Sequence, residues 1–131
     1  MPCLIKIKDE SASGNLLSSF TLECLTEEMT VREIIRARVY QEVQDFNQRQ
    51  PDEFRGLVAP ADAEKTRNGF KLRHARELDW EEQFKKAVDG FISNAFFVLV
   101  DDRQAEDLDE RFAVSVDTEI SFVKLVPLVG G

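Results

Sequence analysis

Cys3-Leu4-Ile5-Lys6-Ile7-Lys8 and Phe20-Thr21-Leu22-Glu23-Cys24-Leu25 are the two stretches whose pairing decides the fold. In the first, Cys3, Ile5 and Ile7 alternate with Leu4, Lys6 and Lys8; in the second, Phe20, Leu22 and Cys24 alternate with Thr21 and Glu23. Successive side chains of a strand point to opposite faces, so each stretch reads as a half-buried strand. An antiparallel hairpin turning at Ser13-Gly14-Asn15 sets Ile7 opposite Phe20, Ile5 opposite Leu22 and Cys3 opposite Cys24. This register gathers all six on one face, and a slip of one residue would send a whole strand's set to the other. The cysteines then read as core thiols of facing strands, bonded to each other only under oxidation. Two of them, without C-x-x-C spacing or a nearby His, make neither a zinc site nor a disulfide framework.

Downstream, Thr30-Val31-Arg32-Glu33 reads as a capping box that opens a helix. Val31, Ile34, Ile35, Val39, Val43 and Phe46 follow at helical spacing, and Pro51 sets the outer limit. Arg32, Arg36 and Arg38 are expected on the solvated side. Residues 51–77 show no clear period and are locally basic, which predicts an exposed excursion with short helical or strand pieces. His74 within it reads as a surface imidazole. Asp79 and Glu82 form a second capping pair, with Trp80, Phe84, Ala87, Val88, Phe91 and Ile92 on one face of a helix ending near Ser93-Asn94. Phe96 to Val100 is a continuous apolar run, expected as a strand buried on both sides, and it stops at Asp101-Asp102. After an acidic stretch, Ile120 to Val126 reads as a last strand, followed by a short tail ending in Gly130-Gly131.

The 131 residues suit one domain with a real core, and 43% hydrophobic with 32% charged residues is a globular composition. The net charge of -8 argues against phosphate backbones and anionic lipid surfaces. No apolar run approaches the ~20 residues of a membrane span and the first residues lack a signal-peptide pattern, so a cytoplasmic protein is expected. No Ser-His-Asp set, Gly-rich phosphate loop or metal cluster is present, so neither catalytic residues, a metal nor a cofactor is expected. The acids from Asp101 to Glu110 lack EF-hand spacing and read as a solvated face able to steer a basic partner.

Two strands, a helix, an extra helical region, a strand, a polar turn and a final strand running into a diglycine resemble the ubiquitin-like proteins. Phe96-Phe97-Val98-Leu99-Val100 is similar to that family's third strand, Asp101 to Asp107 to its polar turn, and Ile120 to Gly131 to its last strand and reactive tail. The resemblance covers about 85 residues and implies an α+β, ubiquitin-like β-grasp fold in one domain, 1–131. A helical insertion of about 51–94 would lie between the main helix and the third strand, and the reactive tail would be 127–131. It also implies a modifier that is not itself an enzyme. The Gly131 carboxylate would be adenylated by an activating enzyme with ATP, passed to a conjugating-enzyme thiol and joined to amines of target proteins, with a deconjugating protease to reverse the bond. Glycine suits that end because it has no Cβ to block a narrow cleft. Pro127, Leu128, Val129 and Gly130 would be the tail recognised by partners. Ubiquitin has basic residues where this chain has Pro127-Leu128-Val129. That departure and the insertion look more like the divergent ubiquitin-like proteins of bacterial operons, some of which act in antiphage defence.

Leu4 and the side of Ile120, Phe122, Val123 and Leu125 turned away from the helix are the expected partner patch, unless the inserted helix with Trp80 and Phe84 covers it. Any of Lys6, Lys8, Lys65, Lys71, Lys85, Lys86 and Lys124 would offer an amine to another tail. Two other readings stand beside the modifier: a sulfur carrier with a terminal thiocarboxylate, and a ubiquitin-like interaction domain with an inert tail.

Overall fold

The computed structural model describes residues 3–24, 26–67 and 69–125. The elements are β1 (Cys3–Ser11), β2 (Leu16–Cys24), β3 (Glu28–Thr30), α1 (Val31–Arg49), β4 (Ala63–Lys65), β5 (Phe70–Leu72), α2 (Trp80–Ile92), β6 (Phe96–Val100), β7 (Arg103–Gln104), β8 (Arg111–Ala113) and β9 (Glu119–Lys124). It is a mixed α+β chain in two compact units. One comprises the residues up to Ile34 and from Phe91 onward, and the other is Ile35–Gly90, which holds most of the expected 51–94 insertion together with α1 from Ile35.

The first unit is built on a five-stranded sheet in the order β2-β1-β9-β6-β7. β1 and β2 pair antiparallel with Cys3 opposite Cys24, Ile5 opposite Leu22 and Ile7 opposite Phe20, the register set by the alternation of apolar residues. The hairpin is longer than the alternating stretches and turns where Gly14 takes φ 89°. β9 runs parallel to β1, Ile120 beside Ile7 and Phe122 beside Asp9, and antiparallel to β6. Ile5, Ile7, Leu22, Cys24, Phe96, Val98, Val100, Ile120 and Phe122 are buried. Phe96 lies 6.2 Å from Phe91 and 6.1 Å from Phe122 between ring centroids, within the range of favourable aromatic pairs. Phe20 is half-buried.

β6 departs from expectation. Phe96, Val98 and Val100 are buried but Phe97 and Leu99 are only half-buried, so the apolar run serves one closed face and one partly open face. It ends where Asp101 and Asp102 take φ 49° and 69°, the two positive values that a two-residue type I′ turn between β6 and β7 needs.

The acidic stretch that follows does more than face solvent. α1 begins with backbone donors that have no partner in the helix. The Val31 N–H donates to the Glu110 carbonyl at 3.2 Å, and the Arg32 N–H to the Leu108 carbonyl at 2.9 Å. The Glu33 N–H donates to the Thr30 hydroxyl at 3.1 Å, the expected cap. Arg111 and Glu28 pair at 3.1 Å across the short β3–β8 ladder that brings this loop to the helix.

In the second unit α1 ends at Arg49, with Gln50 at φ 43° and its N–H donating to the Phe46 carbonyl at 2.7 Å. Ile35, Val39, Val43 and Phe46 are buried, as their spacing predicts. Arg32 and Arg36 are exposed, but Arg38 is not: only 1% of it reaches solvent. It belongs to the buried side because Glu42, one turn on, accepts from its Nε at 2.5 Å and neutralises it there. The other Glu42 oxygen accepts the Leu57 N–H at 3.2 Å.

That bond is one of several that order the stretch before α2, which is more than an exposed excursion. Phe54, Leu57 and Leu78 are buried, and Phe54 bridges to Phe70 and meets Phe46 edge-on at 5.3 Å. A Cβ on Gly56 would sit 2.1 Å from the Phe54 ring, so the ring's seat requires glycine. Asn47 clamps Leu78 on both sides, donating to its carbonyl at 2.9 Å and accepting its N–H at 2.7 Å. Gln83 of α2 donates to the Val58 carbonyl at 3.2 Å. The Asp79 carboxylate caps α2 by accepting the Glu81 N–H at 3.0 Å. Trp80 and Phe84 are half-buried, and Trp80 meets Tyr40 edge-on at 5.4 Å with Arg36 over its ring at 5.2 Å. Ile92, expected on the apolar face of α2, is exposed.

Candidate functional site

Strand alternation gives the sheet of the first unit two faces. The buried one takes Ile5, Ile7 and Asp9 of β1 with Ile120 and Phe122 of β9. Leu4, Lys6, Lys8 and Glu10 therefore share the second face with Ser121 and Val123, and through the β6–β9 register with Phe97 and Leu99. Phe122, expected in the partner patch, is fully buried on the opposite face, as is Ile120, because they pair with the inward-facing Asp9 and Ile7 of β1.

The remaining patch residues are not one patch. Leu4 is 59% exposed and sits opposite Glu23, whereas Val123 sits beside Glu10, six residues further along β1. At the rise of a strand this separates them by about 20 Å. Lys6 and Lys8 lie between, Lys8 paired with Glu119 at 3.5 Å. What gathers instead is Val123 with Phe97 directly opposite, Leu99 two residues on, and the exposed Leu125 just past the end of β9. The sequence does not mark Phe97 and Leu99 as surface residues, because the run Phe96 to Val100 offers no polar alternation. The β9 register was the missing signal.

Phe97 also lines a cavity of about 390 Å³ with Phe91, Phe96, Ala105 and Leu108 on its apolar side and Arg32, Asp107 and Asp109 on its polar side. Arg32 and Asp109 of that lining pair at 3.4 Å. Close to where β9 ends, the Lys124 ammonium reaches the buried Asp9 carboxylate at 3.4 Å, and the Ser18 hydroxyl donates to the same oxygen at 3.2 Å. This pair pins the last residue of β9 beside the centre of the sheet.

Pro127, Leu128, Val129, Gly130 and Gly131 lie outside the described residues, as do Leu25 and Val126. Among the described residues no cluster of three or more His, Cys, Asp or Glu is placed to hold a metal. His74 is exposed and Cys24 is buried. Lys6, Lys65, Lys71 and Lys85 are exposed, while Lys8, Lys86 and Lys124 are half-buried. Among the described residues no helix is long and apolar enough to cross a membrane. No known protein family, curated protein or solved structure matches the chain.

Proposed function

We propose that this chain is a ubiquitin-like modifier of β-grasp type, joined to target amines through the Gly131 carboxylate. The observation that carries the reading is the sheet order β2-β1-β9-β6-β7, in which an N-terminal hairpin receives the last strand in parallel beside its first. β9 ends at Lys124, shortly before Pro127-Leu128-Val129-Gly130-Gly131 in the sequence. In this reading an activating enzyme forms the adenylate with ATP, a conjugating enzyme carries the thioester, and a protease reverses the product. All chemistry is done by these partners, in the cytoplasm, and the chain supplies a carboxylate and docking surfaces. Val123, Phe97, Leu99 and Leu125 form a docking surface at the end of β9. The charge of -8 directs these encounters to basic protein surfaces rather than to nucleic acid.

The test is mass spectrometry of the tagged chain recovered from its host, with and without Gly131. Tail remnants on lysines of other proteins, absent from the truncated form, are the expected result. A terminal sulfur with no conjugates would make the chain a sulfur carrier, and full function after loss of Gly130 and Gly131 would make it a non-covalent interaction domain.

A further inference from the structure

One edge strand of this acidic chain carries a long stretch without charge. β2 is the outermost strand of the five-stranded sheet, and among the described residues no strand pairs with its far side. From Ser11 to Leu22 there is no Asp, Glu, Lys or Arg. Leu16 is 60% exposed and Leu17 53%, and Ser18 and Ser19 are exposed as well. An edge strand turns a row of backbone donors and acceptors outward, and proteins usually guard it with lysine, proline or an inward charge. Glu23 guards the far end of β2, and within Leu16–Ser19 the device is the register shift at Asp9 and Glu10, which leaves Leu17 without an opposite residue and twists the end of the strand.

We propose that Leu16–Ser19 pairs antiparallel with the same segment of a second copy, across a two-fold axis, so that two sheets join into one. Two identical strands running antiparallel are related by such an axis, and a two-fold contact uses one patch twice. Charge selects this occupant. Two molecules that each carry -8 meet at least cost where neither presents a charge. With the axis inside Leu16–Ser19, the two Glu23 carboxylates lie about 35 Å apart along the joined strands, far beyond the screening length. A parallel, in-register contact would set them about 5 Å apart. A strongly charged peptide would find no counter-charge on this stretch, whereas the copy brings two more leucines to cover Leu16 and Leu17.

The full chain in sedimentation velocity is expected to show a concentration-dependent monomer–dimer equilibrium that tightens as salt rises from about 0.05 to 0.5 M, since salt screens the repulsion. Leu17→Lys should weaken the dimer at least about tenfold, and Leu4→Lys, an exposed leucine of the neighbouring strand, should leave it unchanged. Amide exchange provides a second readout: protection should appear at Leu16–Ser19 as concentration increases. A chain that stays monomeric throughout, a dimer that salt dissociates, or one lost with Leu4→Lys but kept with Leu17→Lys would overturn the proposal.

Discussion

The two units hold their chains in different ways. In the first, backbone ladders among β1, β2, β6 and β9 carry the order, and side chains sort themselves by strand alternation. In the second, an irregular segment is fastened by polar side chains of α1 and α2 that bond its backbone: Glu42 to Leu57, Asn47 to Leu78, Gln83 to Val58. Charge divides along the same line. Ile35–Gly90 contains 11 basic and 11 acidic residues, so the whole net charge of -8 belongs to the first unit. A ladder tolerates many side chains so long as the period is kept, whereas a clamp depends on single residues.

The largest effect should come from the ladder's centre. Phe122→Ala empties a fully buried position and should cost about 4 kcal/mol, read as a lower denaturant midpoint with faster amide exchange along β1, β6 and β9. Next is the buried pair. Arg38→Met leaves Glu42 uncompensated and should cost about 3 kcal/mol; in a double variant with Glu42→Met, part of that loss should return, but not all, because the Leu57 N–H is left unpaired. If the double variant is worse than the sum of the singles, the clamp is not the means by which this segment is held. Asn47→Ala removes both bonds to Leu78 and should cost about 2 kcal/mol, with new proteolytic nicking confined to residues 51–79. Thr30→Ala should cost about 1 kcal/mol by thermal melt, a small loss because backbone carbonyls of Leu108 and Glu110 still hold their share of the helix start. The smallest effect has the opposite sign. Asp102→Gly should stabilise by about 0.5 kcal/mol, since φ 69° suits glycine and the carboxylate that accepts the Glu119 N–H belongs to Asp101.

This contrast also explains what was legible in the sequence. The hairpin register followed from six residues because alternation has only two phases, and one of them puts all six on one face. The helix start at Thr30 and the limit at Pro51 were local chemistry and were legible for the same reason. Arg38 was not, because three arginines in seven residues look like a wet helix face; the signal was Glu42 four residues on. The order of residues 51–79 left no period at all, since side-chain bonds to backbone obey no repeat. On the candidate surface, Leu4 and Val123 are both apolar strand residues, and only the parallel pairing of β1 with β9 shows how far apart they lie.

That parallel pairing also bears on how the protein is made. The central neighbour of β1 is β9, which leaves the ribosome after everything else described here, and β6 joins the sheet only through it. Until β9 has emerged, β1 has a partner on one side alone and its inner edge stands open. Closing contacts of that span is slow and leaves the nascent hairpin exposed to other chains. The strand that completes the sheet is therefore also a timer: the five-stranded sheet cannot close before β9 has emerged.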